Sequence, residues 1–199
     1  MILCVPYGTD LSGSLGKLKE MMIPRSLEPT TTEAFPLPSA ALVQIPKTTP
    51  TFHKWNRPIS FDRYGNKAVL NFQGSPLFAE LVILRIFQEA GWTGVWVDTY
   101  RCRFRSSIEE CIEIPKERLR LLENIYTTAG ARGGCFDVFA WKEEEVVFAE
   151  AKRAGRDRIR RSQSRWLDAA LRCGIKIPSF LVVEWGQEEP NERPAHSSR

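Results

Sequence analysis

Asp137, Glu150 and Lys152 are the residues of this chain whose types and spacing could do chemistry together. They lie in one stretch, Gly133-Gly134-Cys135-Phe136-Asp137 through Lys142-Glu143-Glu144-Glu145 to Glu150-Ala151-Lys152, which reads as two short strands rich in aromatic and β-branched residues around a charged turn. An even-membered loop centred on Glu143 and Glu144 pairs Trp141 with Val146. It thereby sets Asp137 opposite Glu150 and Lys152 opposite Cys135. Side chains alternate along a strand, so Asp137, Glu150 and Lys152 then share one face. An odd-membered turn would send Glu150 to the other face. Two facing carboxylates, ~5 Å apart at Cβ, repel each other unless something positive lies between them. A divalent cation and a lysine answer that need. Carboxylates on neighbouring strands make a hard oxygen site of the kind Mg²⁺ or Mn²⁺ takes.

The elements that must position these groups follow from periodicity and punctuation. Gly74-Ser75-Pro76 precedes a strongly apolar helix over 77–90, with Ser75 as N-cap, Pro76 at its first position and Gly91 ending it. Glu80 falls on the apolar stripe of Ile83, Leu84 and Phe87, where it either lacks a partner or reaches water or an arginine from the stripe's edge. A strand over 95–100 follows. Arg101, Arg103 and Arg105 alternate after it, as a phosphate-facing row or as the solvated edge of a hairpin. Pro115 opens an amphipathic helix over 115–128. Asp157 can cap a helix over 158–173 whose stripe is Ile159, Trp166, Leu167, Ala170 and Leu171, with the amide of Gln163 on the same stripe. Arg158, Arg160 and Arg161 crowd its first turn, where the helix dipole disfavours cations, which points to an anionic partner. A fully apolar strand over 180–185 closes the series. Ile59–Phe61 and Lys67–Phe72 around Tyr64-Gly65-Asn66 read as a further hairpin. The sum is an α/β layout with a small mixed sheet.

Composition sets the bounds. With 199 residues, 43% hydrophobic and 26% charged, one domain with appendages is expected. No apolar run is long enough to span a membrane and the first residues lack a basic leader, so the reading is an intracellular protein of cytoplasm or nucleoid, neither secreted nor membrane-bound. Five scattered cysteines, Cys4, Cys102, Cys111, Cys135 and Cys173, suit small buried hydrophobes better than a zinc or redox site. The net charge is only +4, yet residues 152–165 carry seven cations against Asp157 alone. Eight of the 13 prolines fall in the first 60 residues, so residues 1–58 are expected to be an irregular, Pro/Thr-rich extension. Within it, Phe52-His53-Lys54-Trp55-Asn56-Arg57 suits packing onto the main domain, or contact with nucleic acid. His53 has no partner spacing. The main domain is placed at 59–186 with its core at 74–186, and 187–199 as a disordered tail.

Asp137 followed thirteen residues later by Glu150-Ala151-Lys152 resembles the Asp…(Asp/Glu)-x-Lys motif of the PD-(D/E)xK nuclease superfamily. The Gly133-Gly134 lead, the Gly155-Arg156-Asp157-Arg158 loop, Gln163-Ser164-Arg165-Trp166-Leu167 and the closing Phe180–Trp185 strand are similar to its VRR-NUC branch. The resemblance covers roughly residues 74–185. It implies a restriction-endonuclease-like α-β-β-β-α-β core with an inserted helix. It also implies Asp137, Glu150, the Ala151 carbonyl and Glu80 as ligands of Mg²⁺ or Mn²⁺, Lys152 as catalytic lysine, and Gln163 as a supporting or phosphate-contacting amide. Arg153, Arg156, Arg158, Arg161 and Arg165 would grip a DNA backbone, which gives affinity without sequence reading. The family's usual proline before the aspartate is replaced by Phe136, read as tuning the start of the strand. The implied activity is a structure-selective DNA endonuclease acting on branched or flap DNA in repair or recombination, with a homodimer admitted because stand-alone members tend to dimerise. The alternative is a nucleic-acid-binding protein on a nuclease scaffold without turnover. A third reading makes the acidic residues a structural ion-pair network.

Overall fold

Hydrogen bonding along ten strands joins them into one mixed sheet among the residues described by the structure, a computed structural model covering 23–98, 101 and 103–188. In chain order these are β1 (Thr31–Pro36), β2 (Leu42–Thr48), β3 (Thr51–Lys54), β4 (Leu70–Phe72), β5 (Ser75–Leu77), helix α1 (Ala79–Glu89), β6 (Thr93–Asp98), β7 (Arg103–Arg105), helix α2 (Lys116–Ala129), β8 (Val138–Lys142), β9 (Glu145–Arg153), helix α3 (Arg161–Arg172) and β10 (Phe180–Glu188). The spatial order is β5-β4-β3-β10-β9-β8-β6-β7, with β2 also on β10 and β1 on β2. The fold is therefore mixed α/β, a sheet core flanked by three helices. No helix among the described residues is long and apolar enough to cross a membrane.

Alternation along the central strands sorts the core into two layers. Phe139, Trp141, Val146 and Phe148 face α2 and α3, where Phe148 and Phe139 stack at 4.7 Å between centroids and Trp166 stands edge-on to Phe148 at 5.0 Å. Val138, Ala140, Val147 and Ala149 face α1, packing on Leu81, Ile83, Leu84 and Phe87. α1 buries residues on several sides, as a helix so rich in leucine, isoleucine and valine must.

Several expectations are corrected. Residues 31–54 are not irregular: β1, β2 and β3 belong to the sheet, with β2 lying parallel to the first half of β10 (Val182↔Lys47) and β3 parallel to its second half (Gly186↔Thr51). Each of β1 and β2 buries little, Phe35 and Ile45 foremost, which is why no period of two stood out. The sheet is accordingly large, not small. Ser75 and Pro76 do not begin α1. Gln73 and Gly74, both at positive φ (50° and 82°), make the turn of a hairpin between β4 and β5, and Pro76 is tolerated because β5 is an edge strand. The hairpin expected at 59–61 and 67–72 is absent. Its first arm is instead a loop whose Phe61 and Tyr64 lie edge-on to Phe78, each at 5.6 Å. α3 starts at Arg161, and Asp157 caps nothing: its Oδ2 accepts the Arg153 N–H at 2.8 Å, closing the turn after β9. Gln187 and Glu188 extend β10, while the rest of the expected tail, like Thr99, Tyr100, Cys102 and Cys4, lies outside the described residues. The arginine row divides. Arg105 is buried on Asp98 (2.9 Å), whereas Arg101, stacked on Tyr64 (4.1 Å), and Arg103 are exposed.

Candidate active site

The turn at Glu143 and Glu144 has two residues, so Trp141 pairs with Val146 and Val138 with Ala149, as loop parity required. Continuing that register brings Asp137, the residue before β8, level with Glu150. The Val97 N–H bonds the Asp137 carbonyl at 2.7 Å, and the Asp137 carboxylate turns to β9, where Oδ2 accepts the Ala151 N–H at 3.0 Å. Within a strand, a residue's N–H and C=O point to the same side, so the Ala151 carbonyl faces the same space.

Glu150 and Lys152 stand on the α3 face of β9, two positions apart and both nearly inaccessible (3% and 7% exposed). Their Oε1 and Nζ are 2.9 Å apart. Gln163 ties the pair to α3. Its Nε2 donates to Glu150 Oε1, and its Oε1 accepts from Lys152 Nζ at 3.1 Å and from the Arg160 N–H at 2.8 Å. The last bond satisfies one of the free amides that begin every helix, so the same amide caps α3 and orders the site. Lys152 Nζ also donates to the Arg158 carbonyl at 3.2 Å, drawing the arginine-rich loop over it. Glu150 Oε2 is buried without a hydrogen-bond partner.

Gly134 sets how closely α3 approaches. Its φ is +91°, and a Cβ there would fall 2.1 Å from the Ser162 carbonyl oxygen and 2.9 Å from the Gln163 nitrogen. Only glycine allows the loop to touch the first turn of α3 backbone to backbone. Phe136, where the resembled family has proline, is a core anchor: it lies 5.8 Å from Phe35, 5.8 Å from Trp166 and 5.7 Å from Phe180.

These groups line one cleft of about 840 Å³. Glu80, from the first turn of α1, enters it already bonded to Lys67, a residue that sequence reasoning did not single out. Lys67 lies 5.0 Å over the Trp96 ring, and no spacing rule links it to Glu80 across the intervening turns and strands. Arg153, Arg156 and Arg158 border the cleft. Arg161 and Arg165 do not, lining with Pro36 and Pro38 an adjoining depression that shares Ile159, Arg160 and Ser162 with the cleft. Cys135 is a buried thiol whose pKa is pushed up by burial, in keeping with a structural role.

Electrostatics single out the carboxylates. Burial, then the charges of Glu150 and Glu80, push the Asp137 carboxyl well above its ordinary range, against Lys67 and the Ala151 N–H. Burial pushes Glu150 up as well, opposed first by the Lys152 charge and then by hydrogen bonds to Lys152 and Gln163. Burial alone would lower the Lys67 ammonium, but the Glu80 charge and hydrogen bond, with Asp137 and Asp98 further off, raise it. Among the described residues no three His, Cys, Asp or Glu side chains converge as a metal-holding group. Two carboxylates, one with an unpartnered oxygen, and a main-chain carbonyl nevertheless form an oxygen donor set that suits a hard divalent cation. No family model, curated protein or solved structure matches this chain.

Proposed function

We propose that this chain is a Mg²⁺- or Mn²⁺-dependent nuclease hydrolysing DNA phosphodiesters, a structure-selective endonuclease for branched or flap DNA, on a restriction-endonuclease-like core. The observation that carries the reading is the cluster of half-buried Asp137 with buried Glu150, Lys152 and Gln163, with an orphaned carboxylate oxygen, in a cleft bordered by arginines. The order α1, β6, β8, β9, α3, β10, with β7 and α2 inserted after β6, supports the core that the resemblance implies.

Asp137, Glu150 and the Ala151 carbonyl would hold the cation, which when bound supplies Lewis acidity at the phosphate and lowers the pKa of an attacking water. The protein's own groups do the rest. Gln163 holds the Lys152 ammonium beside Glu150, where it can orient a water or offset charge gathering on the phosphate. Glu80, held by Lys67, adds negative charge near Asp137 and serves as a reserve ligand. Arg156 and Arg158, exposed on the loop after β9, contact the backbone.

Cleavage of flap, nicked and four-way DNA with Mg²⁺ or Mn²⁺ tests this. Asp137→Ala and Lys152→Ala should each lose about a hundredfold or more. Equal activity in all three proteins defeats the mechanism. One observation favours the non-catalytic alternative: three acceptors, on Glu150, Gln163 and Arg158, already surround Lys152 Nζ. A scaffold of that kind shows no Mn²⁺-dependent rise in melting temperature, whereas the nuclease shows one that Glu150→Ala abolishes.

A further inference from the structure

A second groove, of about 480 Å³, adjoins the carboxylate cleft: Asn66, Ala68, Arg153 and Arg156 line both. Its other walls come from the segment after β3 and from the loop before β4. They add Lys54, Arg57 and Arg63, so five cations border the groove, and its lining includes no carboxylate. Lys54, Arg57, Arg63 and Arg156 are exposed. Arg57 lies 5.6 Å over the Trp55 ring, and Arg153 is oriented by Gln187 (2.6 Å) and by the Trp185 ring (5.5 Å). Trp55, Pro58, Ile59 and Val69 add aromatic and apolar groups to the lining.

A polyanion finds several favourable charge contacts where cations gather in one concavity. Cations mixed with aromatic and apolar groups in one groove are what a single nucleic-acid strand needs, phosphates on the cations and unpaired bases on the apolar groups.

We infer that this groove is the track for a single-stranded arm of DNA leading to or from the carboxylate cleft, so that Lys54 and Arg57 select substrates with an unpaired strand. The inference rests on the nuclease reading for its direction, but its test does not need turnover. Binding of a fluorescein-labelled single-stranded DNA, and of a duplex of the same sequence, is measured by anisotropy in EDTA at several salt concentrations. The double variant Lys54→Glu/Arg57→Glu should bind the single strand about tenfold or more weakly. Its salt slope should be shallower by about 1.4, at roughly 0.7 per lost phosphate contact. Duplex affinity should change by less than about twofold, and Arg57→Gln, which keeps the stem over Trp55, should give a smaller loss of the same kind. Unchanged single-strand affinity, or equal losses on single strand and duplex, overturns the inference. The two failures are separable: a wild type that never cleaves but shows this pattern defeats only the nuclease reading, while one that cleaves, with the double variant binding normally, defeats only the groove.

Discussion

Replacing Gly134 with alanine, with Gly133→Ala as its control, measures how much of the site depends on one close backbone approach. At Gly134 the new Cβ would meet main-chain atoms only: the Ser162 oxygen at 2.1 Å, its carbonyl carbon at 2.4 Å and the Gln163 nitrogen at 2.9 Å. No rotamer change relieves that, so the first turn of α3 has to move by about an ångström to regain van der Waals contact. Overpacking of this sort costs about 1–3 kcal/mol. A non-glycine residue held at φ +91° costs about 1–3 kcal/mol more. The expected loss is therefore about 2–6 kcal/mol, which in a chain of this size lowers the melting temperature by roughly 5–20 °C. Gly133 has nothing within 4 Å of its Cβ position and no positive φ, so its alanine variant should melt within about 2 °C of wild type. Because the shift carries Gln163 away from Glu150 and Lys152, any cleavage activity should fall by about a hundredfold even at temperatures where the variant stays folded. Thermal unfolding by circular dichroism of the three proteins decides the matter. Equal melting of Gly134→Ala and wild type, or equal loss in both variants, refutes the idea that backbone contact at Gly134 seats α3.

Asp137→Asn should raise stability at neutral pH by about 1 kcal/mol or more, since it removes a half-buried charge facing Glu150 while keeping an oxygen for the Ala151 N–H. The folded pKa of Asp137 is raised, so its contribution to stability is fully present below the unfolded value near 3.8 and is lost as pH rises through the folded one. The gain from Asp137→Asn should accordingly be largest above the ordinary carboxylate range and vanish in acid. A lower melting temperature at neutral pH would favour a structural ion-pair network instead. Gln163→Leu keeps the volume but strips partners from Lys152, Glu150 and the Arg160 N–H, and should lower the urea midpoint by an amount worth about 1–3 kcal/mol for each group left unpaired. An unchanged midpoint would show that the amide organises nothing. Phe136→Pro, which installs the residue of the resembled family, should cost about 3–5 kcal/mol through lost contact with Phe35, Trp166 and Phe180, read by calorimetry. Unaltered melting would return Phe136 to a purely local role.

The parts of the site that could be read in advance are those governed by short-range rules. Lys142-Glu143-Glu144-Glu145 closes a two-residue loop, and loop parity carries the register outward to Asp137 and Glu150. Gln163 was visible because an amide on an apolar helical stripe is costly unless something answers it. Lys67 and the groove at Arg57 were not visible, because they reach the cleft through β3 and β4. β3 is placed by parallel pairing with β10 more than a hundred residues away, as Gly186↔Thr51 illustrates, and β4 by antiparallel pairing with β3. Such pairing leaves no local period, and the prolines and threonines of that segment suggested an irregular chain.

The sequence by itself determined the composition of the cluster and the face it occupies: two carboxylates and a lysine on one side of a hairpin, an amide on the next helix, and an excess of cations between them. Tertiary structure decided the rest. It brought the glycine of Gly134 against the backbone of Ser162, gave Glu80 to Lys67, moved Arg161 and Arg165 away from the cleft, and built a second cationic wall from a segment that looked shapeless. The physical reason is one of range. Alternation and loop parity act over a few residues and are written in their order, whereas which charges share a cleft depends on how distant strands dock, and docking is set by the burial of Phe35, Ile45, Phe136 and their neighbours as a whole.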